Sequence, residues 1–233
     1  MTGTSSGLGS AIAAELARRG FVVGCLSRRG IVPSQAEGTL IPYTADVRDS
    51  GQVAQAMADF SKQAGGIHGL VNNAGKHEDH RSSSMTAEQL RDVMETNFVA
   101  VFECCRLAYP YLRQSRGLIV NMASLFGKLG VPGSLAYSAS KAAVASLTRT
   151  LAVEWAKDGI AVMAAAPGYV RTGLNENAFQ DTALVDRIEK RVPLHRMGTP
   201  DEVARFVAML FVERIDYLTG ETVYIDGGHG IGP

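Results

Sequence analysis

The sequence predicts one α/β domain built on a doubly wound parallel sheet. Short apolar runs rich in Val and Ile alternate with longer helical patterns along the whole chain. A glycine-rich segment lies close to the N-terminus, and 233 residues are enough to bury one large core. No low-complexity tract or linker divides the chain, so we expect a single domain over residues 1–233.

Six apolar runs mark the predicted strands. They cover residues 21–26, 40–45, 67–72, 118–122, 160–165 and 222–225. Two helix starts carry a capping box, Thr86 with Gln89 and Thr199 with Glu202, and Pro200 suits a first helical position. The connection at residues 173–198 is longer and less regular than the others, so we expect a substrate lid there.

Composition and charge argue against several classes of function. Lys plus Arg and Asp plus Glu number 23 each, so no basic excess is present to hold nucleic acid or an anionic membrane. No apolar run approaches membrane-spanning length and no secretory signal opens the chain, which predicts a cytoplasmic protein. The three cysteines, Cys25, Cys104 and Cys105, suit neither a disulfide framework nor a zinc site, and we expect reduced core thiols.

Tyr137 and Lys141 are four residues apart, which places both on one face of a helix. A free tyrosine has a pKa of about 10 and is a poor acid-base catalyst at neutral pH unless a positive charge stabilises its phenolate. Lys141 would supply that charge. The alternative is an ordinary half-buried helix tyrosine beside a solvated lysine.

The N-terminal segment has the spacing G-x-x-x-G-x-G and is followed by an alanine-rich helical stretch at residues 11–19. Glycines let backbone N–H groups and a helix N-terminus approach a pyrophosphate. The alternative is a turn that only lets the helix pack on the sheet. The candidate cofactor-binding residues here are Gly3, Ser5, Ser6, Gly7, Leu8 and Gly9.

The end of the following strand indicates which nicotinamide cofactor is preferred. An acidic residue there would bind the ribose 2′-hydroxyl of NAD(H), but Ser27 and Arg28 occupy this point instead. Ser27 can donate a hydrogen bond and Arg28 can pair with a 2′-phosphate, so NADP(H) is favoured over NAD(H). A solvated arginine pair is the alternative.

A series of motifs in register resembles the short-chain dehydrogenase/reductase family over nearly the whole chain. The motifs are the glycine segment, Asp46-Val47, Asn72-Asn73-Ala74-Gly75, Asn97, Ser124, Tyr137 with Lys141, the segment from Pro167 to Thr172, and Asp226-Gly227-Gly228. The resemblance implies a Rossmann-like fold and the interconversion of a ketone and a secondary alcohol. It also implies a homo-oligomer, tetramer or dimer, assembled through helices at residues 106–113 and 139–156.

The resemblance gives each catalytic candidate a role. Tyr137 would exchange a proton with the substrate oxygen, and Lys141 would stabilise the phenolate and hold the nicotinamide ribose. Ser124 would orient the carbonyl, and Asn97 would position a water that connects Lys141 to solvent. A complete set of four catalytic candidates favours an enzyme. The alternatives are a non-catalytic nucleotide sensor or scaffold on the same fold, and an NAD-dependent sugar or polyol dehydrogenase.

The remaining cofactor contacts are also implied by the resemblance. Asp46 and Val47 would contact the adenine, and the turn after Asn72 would line its ribose. Val170 and Thr172 would fix the carboxamide and so select the nicotinamide face that reacts. Besides Tyr137 and Lys141, the full set outside the glycine segment is Ser27, Arg28, Asp46, Val47, Asn73, Ala74, Gly75, Pro167, Gly168, Val170 and Thr172.

The start of the chain departs from the family pattern. A full hydrophobic strand precedes the glycine motif in this family, yet only Met1 and Thr2 stand before Gly3. We therefore expect a truncated first strand, with a few apolar residues missing upstream. The neighbouring strands would then lack part of their hydrogen-bonding partner.

The substrate is less well determined than the reaction. Residues 195–204 and 218–222 resemble the 3-oxoacyl-[acyl-carrier-protein] reductase branch, so a 3-oxoacyl group is one candidate. An acidic carrier protein would need a basic patch, for which Arg113 and Arg116 are candidates that Asp158 weakens. An apolar pocket would favour a ketone or acyl substrate over a sugar. Its possible lining, which could equally be core, is Leu125, Phe126, Leu129, Leu174 and Phe179.

The segment His77-Glu-Asp-His80 clusters imidazoles and carboxylates. We predict no metal site there, because the two histidines lie in a polar loop without a further set of ligands. We expect this segment to border the entrance of the active site.

Overall fold

Strands and helices alternate along the chain in the computed structural model, which describes residues 1–33, 36–172 and 178–232. The described strands are β1 (Val22–Ser27), β2 (Thr39–Thr44), β3 (Gly69–Asn72), β4 (Leu118–Met122), β5 (Ala161–Pro167) and β6 (Thr222–Ile225). The α-helices are α1 (Gly7–Arg18), α2 (Ser50–Ala64), α3 (Ala87–Met94), α4 (Ala100–Ser115), α5 (Leu135–Trp155), α6 (Thr182–Arg191) and α7 (Pro200–Glu213). Every predicted strand is observed, with each end within two residues of its expected position.

All strand pairs are parallel, in the orders β1-β2 and β3-β4-β5-β6. The first residues of the chain lie between the two groups. Gly3 N donates to the Leu26 carbonyl at 2.8 Å, and Thr2 N donates to the Val71 carbonyl at 3.0 Å. Thr2 forms one isolated bridge with Leu26. Residues 1–3 thus link β1 to β3 at the place where the family resemblance implies a full strand.

Helices cover both faces of the sheet, because alternate residues of each strand point to opposite sides. Ile119 of β4 belongs to a core cluster with side chains from α2, α4 and α5. The next residue, Val120, belongs to the other cluster, together with side chains of α1 and α7. The prediction of a doubly wound parallel sheet is confirmed.

Both predicted capping boxes are present. The hydroxyl of Thr86 accepts from Gln89 N at 3.2 Å, and the Gln89 side chain accepts from Thr86 N at 2.9 Å. Thr199 and Glu202 make the same reciprocal pair, with Pro200 at the start of α7. These helix starts depend on local sequence alone, which is why the sequence predicts them well.

A chain of polar side chains crosses the core and ties α5 to the sheet. Asn72 Nδ2 on β3 donates to Asn121 Oδ1 on β4 at 2.9 Å. Asn121 Nδ2 donates to Thr148 Oγ1 on α5 at 3.0 Å. All three residues are buried, so these hydrogen bonds fix the position of α5 against β4.

The three cysteines are free and buried, as expected of core thiols. Burial raises the pKa of Cys104 to about 12, so it stays a thiol at neutral pH. Within the described part of the chain, no helix is long and apolar enough to cross a membrane.

Candidate active site

Four predicted catalytic residues meet beyond the carboxyl end of β4. Ser124 follows this strand by two residues, and Tyr137 and Lys141 lie on consecutive turns of α5. The Ser124 side chain is the hydrogen-bonding neighbour that lowers the pKa of the Tyr137 phenol, and Ser124 Oγ accepts from Phe126 N at 3.2 Å. Asn97 lies in the segment that joins α3 to α4.

Lys141 is buried, and its Nζ donates to the Met122 carbonyl at 2.7 Å. Nζ lies 5.6 Å from the centroid of the Tyr137 ring. Burial disfavours the charged amine and lowers the pKa of Lys141 to about 8. The strand-end carbonyl therefore holds an amine that can exchange a proton near neutral pH.

The pKa of Lys141 leads to a prediction about stability. Its folded value of about 8 lies below the usual 10.5, so the unfolded chain binds more protons between these pH values. The contribution of Lys141 to the free energy of unfolding should therefore rise with pH from about 8 to 10.5, with a slope of at most about 1.4 kcal/mol per pH unit. Urea unfolding of the wild type and Lys141→Met across this range measures it. A difference between the two proteins that stays constant with pH would contradict the prediction.

The pKa of Tyr137 differs from the sequence expectation. Burial raises the pKa of the phenol, and the hydrogen bond from Ser124 lowers it only in part. The sequence predicts a phenolate stabilised by Lys141, but the lysine donates to the Met122 carbonyl instead of to the phenol. Tyr137 is therefore held in its protonated form, which suits a proton donor.

Asn97 occupies a wide helical turn, the π-helix Glu95–Val99. Its side chain accepts from Lys76 N at 2.8 Å, donates to the Lys76 carbonyl at 2.9 Å, and donates to Ser140 Oγ at 3.1 Å. A Cβ at Gly75 would lie 3.2 Å from Asn97 Oδ1 and 3.7 Å from Lys141 Nζ. The side chains of Asn97 and Lys141 thus both lie close to the backbone at Gly75.

The glycine segment forms a tight cradle at the start of α1. Gly3 and Gly7 have positive φ values of 69° and 57°, which non-glycine residues rarely adopt. A Cβ at Gly9 would lie 2.0 Å from the carbonyl oxygen of Gly3. Ser6 is the N-cap residue, but its side chain makes no capping hydrogen bond. The first N–H groups of α1, where Leu8 lies, are thus available to an anion such as pyrophosphate.

The turn after β3 is hydrogen-bonded to this glycine cradle. Thr2 Oγ1 accepts from both Asn73 N and Ala74 N at 3.1 Å. Asn73 Nδ2 donates to the Gly3 carbonyl at 3.0 Å. The two predicted cofactor-binding segments therefore form one unit, with Gly75 leading from it toward Asn97.

The end of β1 carries the residues that the sequence predicts to contact the adenosine part of a dinucleotide. The Ser27 hydroxyl is buried and has no hydrogen-bond partner among the described residues, which fits a ligand group at this point. Arg29 Nη2 donates to Ser5 Oγ at 3.0 Å and to the Ser5 carbonyl at 3.2 Å. Arg28 is exposed and adds to the lowering of the Asp46 pKa, for which the hydrogen bond from Arg48 is the main cause. The sequence singles out Arg28 and misses Arg29.

The nicotinamide candidates follow β5, next to Ser124. Pro167 ends this strand, and Gly168 N donates to the Ile225 carbonyl of β6 at 3.0 Å. Val170 pairs with Gly198 in an isolated parallel bridge. Thr172 is the last described residue before the gap at 173–177. Of the two adenine candidates, Val47 packs on the core and Asp46 pairs with Arg48 at 2.8 Å.

A group of aromatic rings packs beside Tyr137. The ring centroid of His77 lies 4.5 Å from that of Tyr137, and Phe126 lies 5.9 Å from it. Tyr169 lies 5.6 Å from Phe126, and His229 stacks on Tyr169 at 5.7 Å. The sequence places His77 near the entrance but has no signal for its contact with the catalytic phenol. Within the described part of the chain, no three His, Cys, Asp or Glu residues form a possible metal site.

Part of the predicted lid packs against Tyr169, one of these aromatic residues. Residues 173–177, with Leu174, lie outside the described residues. Ile188 of α6 forms a small cluster with Val192 and Met197, on which Tyr169 and Phe179 pack. Leu125 is fully buried and belongs to the core, while Leu129 is half-buried.

The candidate basic patch for a carrier protein lies at the wrong end of the sheet. Arg113 and Arg116 stand at the C-terminus of α4, just before β4 begins, whereas Ser124 follows the end of β4. Arg113 also pairs with Asp158 at 3.3 Å. The sequence shows that these arginines are present. Their distance from the site depends on the direction of β4, which composition does not reveal.

Comparisons with known proteins agree with this geometry. A family model described as Enoyl-(Acyl carrier protein) reductase matches residues 3–230. A 3-oxoacyl-[acyl-carrier-protein] reductase of Staphylococcus epidermidis is 35% identical over 237 residues, which cover 98% of this chain and 96% of the relative.

Solved structures give the same result. The aldohexose dehydrogenase of Thermoplasma acidophilum has a TM-score of 0.91 at 30% identity, covering 100% of this chain and 93% of the other. A gluconate 5-dehydrogenase of Burkholderia cenocepacia, solved in complex with NADP and tartrate, has a TM-score of 0.89 at 29% identity, covering 98% and 92%. With the Ser124, Tyr137 and Lys141 arrangement and the matched family model, these relatives lead to one conclusion: the chain belongs to the short-chain dehydrogenase/reductase family and is an oxidoreductase of that family.

Proposed function

We propose that this protein is an NADP(H)-dependent oxidoreductase that interconverts a ketone and a secondary alcohol. The observation that carries this proposal is the position of Tyr137 and Lys141 of α5 at the carboxyl end of β4. There Lys141 Nζ donates to the Met122 carbonyl at 2.7 Å, and Ser124 follows two residues later. The glycine cradle and the unpartnered Ser27 hydroxyl fit a dinucleotide beside them. We assign the whole chain to one domain, with residues 173–198 as a substrate lid.

The side chains supply the proton chemistry of this reaction. When bound, the reduced nicotinamide supplies a hydride to the carbonyl carbon. Tyr137 donates its phenolic proton to the carbonyl oxygen, which becomes the hydroxyl of the product. Ser124 donates a hydrogen bond to the same oxygen and fixes its position. Tyr137 starts protonated at neutral pH, since burial raises the pKa of its phenol above the usual value, and so it is the donor when the carbonyl is reduced.

Lys141 and Asn97 restore the proton that Tyr137 gives up. The pKa of Lys141 is lowered to about 8, so its ammonium can release a proton at little cost. Asn97 Oδ1 faces the same point near Gly75 and can hold a water between Lys141 and solvent. In the oxidation of an alcohol, the same groups carry the proton in the opposite direction.

The preference for NADP(H) depends on two arginines in this proposal. Arg28 is exposed at the end of β1, and Arg29 already bonds the glycine segment through Ser5. Fluorescence titration should give tighter binding of NADPH than of NADH. Arg28→Ala or Arg29→Ala should reduce this preference by about tenfold, as expected for one charge-assisted hydrogen bond. Arg18→Ala removes an exposed arginine of α1 that pairs with Glu15 and serves as the control. An unchanged preference in both test variants would exclude these arginines from the role.

The substrate is a ketone in this proposal. The name of the Staphylococcus epidermidis relative suggests a 3-oxoacyl thioester, and the names of the solved structures suggest sugar-derived substrates. Reduction rates with a panel of simple ketones, hydroxy ketones and 3-oxoacyl thioesters distinguish these classes. Cofactor binding without turnover of any of them would favour a non-catalytic nucleotide sensor.

A homo-oligomer is also part of the proposal. Phe102 of α4 and Leu135 and Val153 of α5 are 40%, 49% and 80% exposed, which is unusual for large apolar side chains on long helices. Sedimentation velocity should give a mass of two or four chains, and Val153→Glu should shift the protein toward the monomer. A monomeric wild type at micromolar concentration would contradict this.

A further inference from the structure

The imidazole of His77 lies against the phenol ring of Tyr137. Its ring centroid is 4.5 Å from that of Tyr137, and its edge faces Phe126 at 5.9 Å. The side chain is 40% exposed, so part of the imidazole is accessible to solvent. A substrate whose carbonyl oxygen reaches Tyr137 therefore has its neighbouring atoms close to this imidazole.

Two hydrogen bonds fix which nitrogen of His77 carries the proton. Ser134 Oγ donates its hydrogen to Asp79 Oδ1 at 3.0 Å, so the hydroxyl oxygen can only accept from the imidazole. His77 Nε2 lies 3.0 Å from Ser134 Oγ and 3.2 Å from Asp79 Oδ1. Both neighbours accept, so Nε2 carries the hydrogen in the neutral ring and Nδ1 keeps a free lone pair.

The surrounding backbone holds this arrangement in place. His80 N donates to the Gly133 carbonyl at 2.8 Å, and His80 forms a parallel bridge with Ser134. On the other side, both backbone groups of Lys76 bond the Asn97 side chain. Ser134 is 2% exposed and directly precedes α5, the helix that carries Tyr137. His77 is therefore positioned by the same elements as the catalytic residues.

The charges of this loop do not favour an anionic substrate. The Lys76 ammonium is paired with Glu78 at 2.9 Å and with Asp92. Asp79 adds a carboxylate on the far side of the imidazole. Among the described residues, His77 Nδ1 has no hydrogen-bond partner, so in the neutral ring it is a free acceptor. An acceptor beside the reacting carbonyl needs a donor on the substrate.

We propose that His77 is a specificity-determining residue whose Nδ1 accepts a hydrogen bond from a hydroxyl on the carbon next to the reacting carbonyl. The substrate class is thus an α-hydroxy ketone, or a vicinal diol in the opposite direction. This inference rests on the proposed ketone reduction. Simple ketones and 3-oxoacyl thioesters have no hydroxyl at that position and leave Nδ1 without a partner.

Paired substrates with and without the hydroxyl test this proposal. The probes are 3-hydroxybutan-2-one against butan-2-one, and 2-hydroxycyclohexanone against cyclohexanone, each reduced with NADPH. The wild type should give a kcat/KM ratio of about ten or more in favour of the hydroxy ketone, the size of one neutral hydrogen bond. His77→Phe keeps a ring against Tyr137 but has no acceptor, so the ratio should fall about tenfold. His77→Asn can place an amide oxygen near the position of Nδ1 and should recover part of the ratio.

His80→Phe is the matched control, because it makes the same chemical change three residues further on. The His80 imidazole faces Glu78 at 3.5 Å and should leave the ratio unaltered. Equal rates for both members of each pair, or a ratio that persists in His77→Phe, would overturn the inference while the oxidoreductase proposal stands. If neither ketone of any pair is reduced with NADPH or NADH, the proposed function fails for small ketones and the inference fails with it.

Discussion

Tyr137→Phe is expected to lower kcat by about 10²-fold to 10⁴-fold, the usual contribution of a general acid. The substitution removes only the phenolic hydroxyl, which is hydrogen-bonded to Ser124. The ring and its contacts with His77 and Phe126 remain. The Kd for NADPH should therefore stay within about twofold of the wild-type value, since no proton is transferred in binding.

The measurement is a steady-state assay on a ketone that the wild type reduces, together with fluorescence titration of NADPH. Tyr109→Phe is the matched control, because its hydroxyl bonds Asp158 at 2.9 Å near the C-terminal end of α4. This control should keep wild-type kcat. If Tyr137→Phe retains more than a tenth of the wild-type kcat, another group donates the proton and the assignment of Tyr137 is wrong.

Gly9→Ala is the second change with a large expected effect. A Cβ at Gly9 would lie 2.0 Å from the Gly3 carbonyl oxygen and 2.4 Å from Asn73 Nδ2, so the glycine cradle must open to accept it. Overpacking of this kind costs about 1–3 kcal/mol, which corresponds to a loss of about 2–4 °C in Tm per kcal/mol for a chain of this size. NADPH affinity should fall by more than tenfold, because the displaced backbone is the surface that would face the pyrophosphate.

Gly130→Ala provides the control for this prediction. A Cβ at Gly130 meets no heavy atom within 4 Å among the described residues, and its backbone lies outside the left-handed region. Its effect on the free energy of unfolding should stay within about 0.5 kcal/mol. Differential scanning fluorimetry with and without NADPH measures both variants. Wild-type NADPH affinity in Gly9→Ala would exclude the cradle as the pyrophosphate site.

The sequence predicts the sheet well because buried parallel strands are marked by continuous apolar runs, and each observed strand contains such a run. The capping boxes of Thr86 and Thr199 are equally predictable, since they need only four consecutive residues. The order of the strands in the sheet cannot be predicted from these apolar runs. It depends on which connections cross the sheet, and it follows from the family resemblance more than from periodicity.

The spacing of Tyr137 and Lys141 within α5 predicts that these two candidates share one helix face, whereas Ser124 and Asn97 are indicated only by the family resemblance. The surroundings of this set are not predictable from the sequence. The contact between His77 and Tyr137 joins residues 60 positions apart and depends on how Asp79 and Ser134 orient the imidazole. Arg29 reaches Ser5 because the chain turns back after β1, and no local pattern distinguishes it from Arg28. Tertiary contacts of this kind leave no trace in composition or periodicity.

Because of the π-helix at Glu95–Val99, the position of Asn97 depends on the number of residues between the motifs as well as on the motifs themselves. Ala100 N donates to the Glu95 carbonyl, so this turn holds one residue more than an α-helical turn. A deletion of one residue here would restore an ordinary helix and rotate Asn97 away from Lys76, while every motif would still be present in the sequence. A homologue that aligns with a one-residue gap at this point can therefore share all the signature residues and still not place its asparagine beside Lys76.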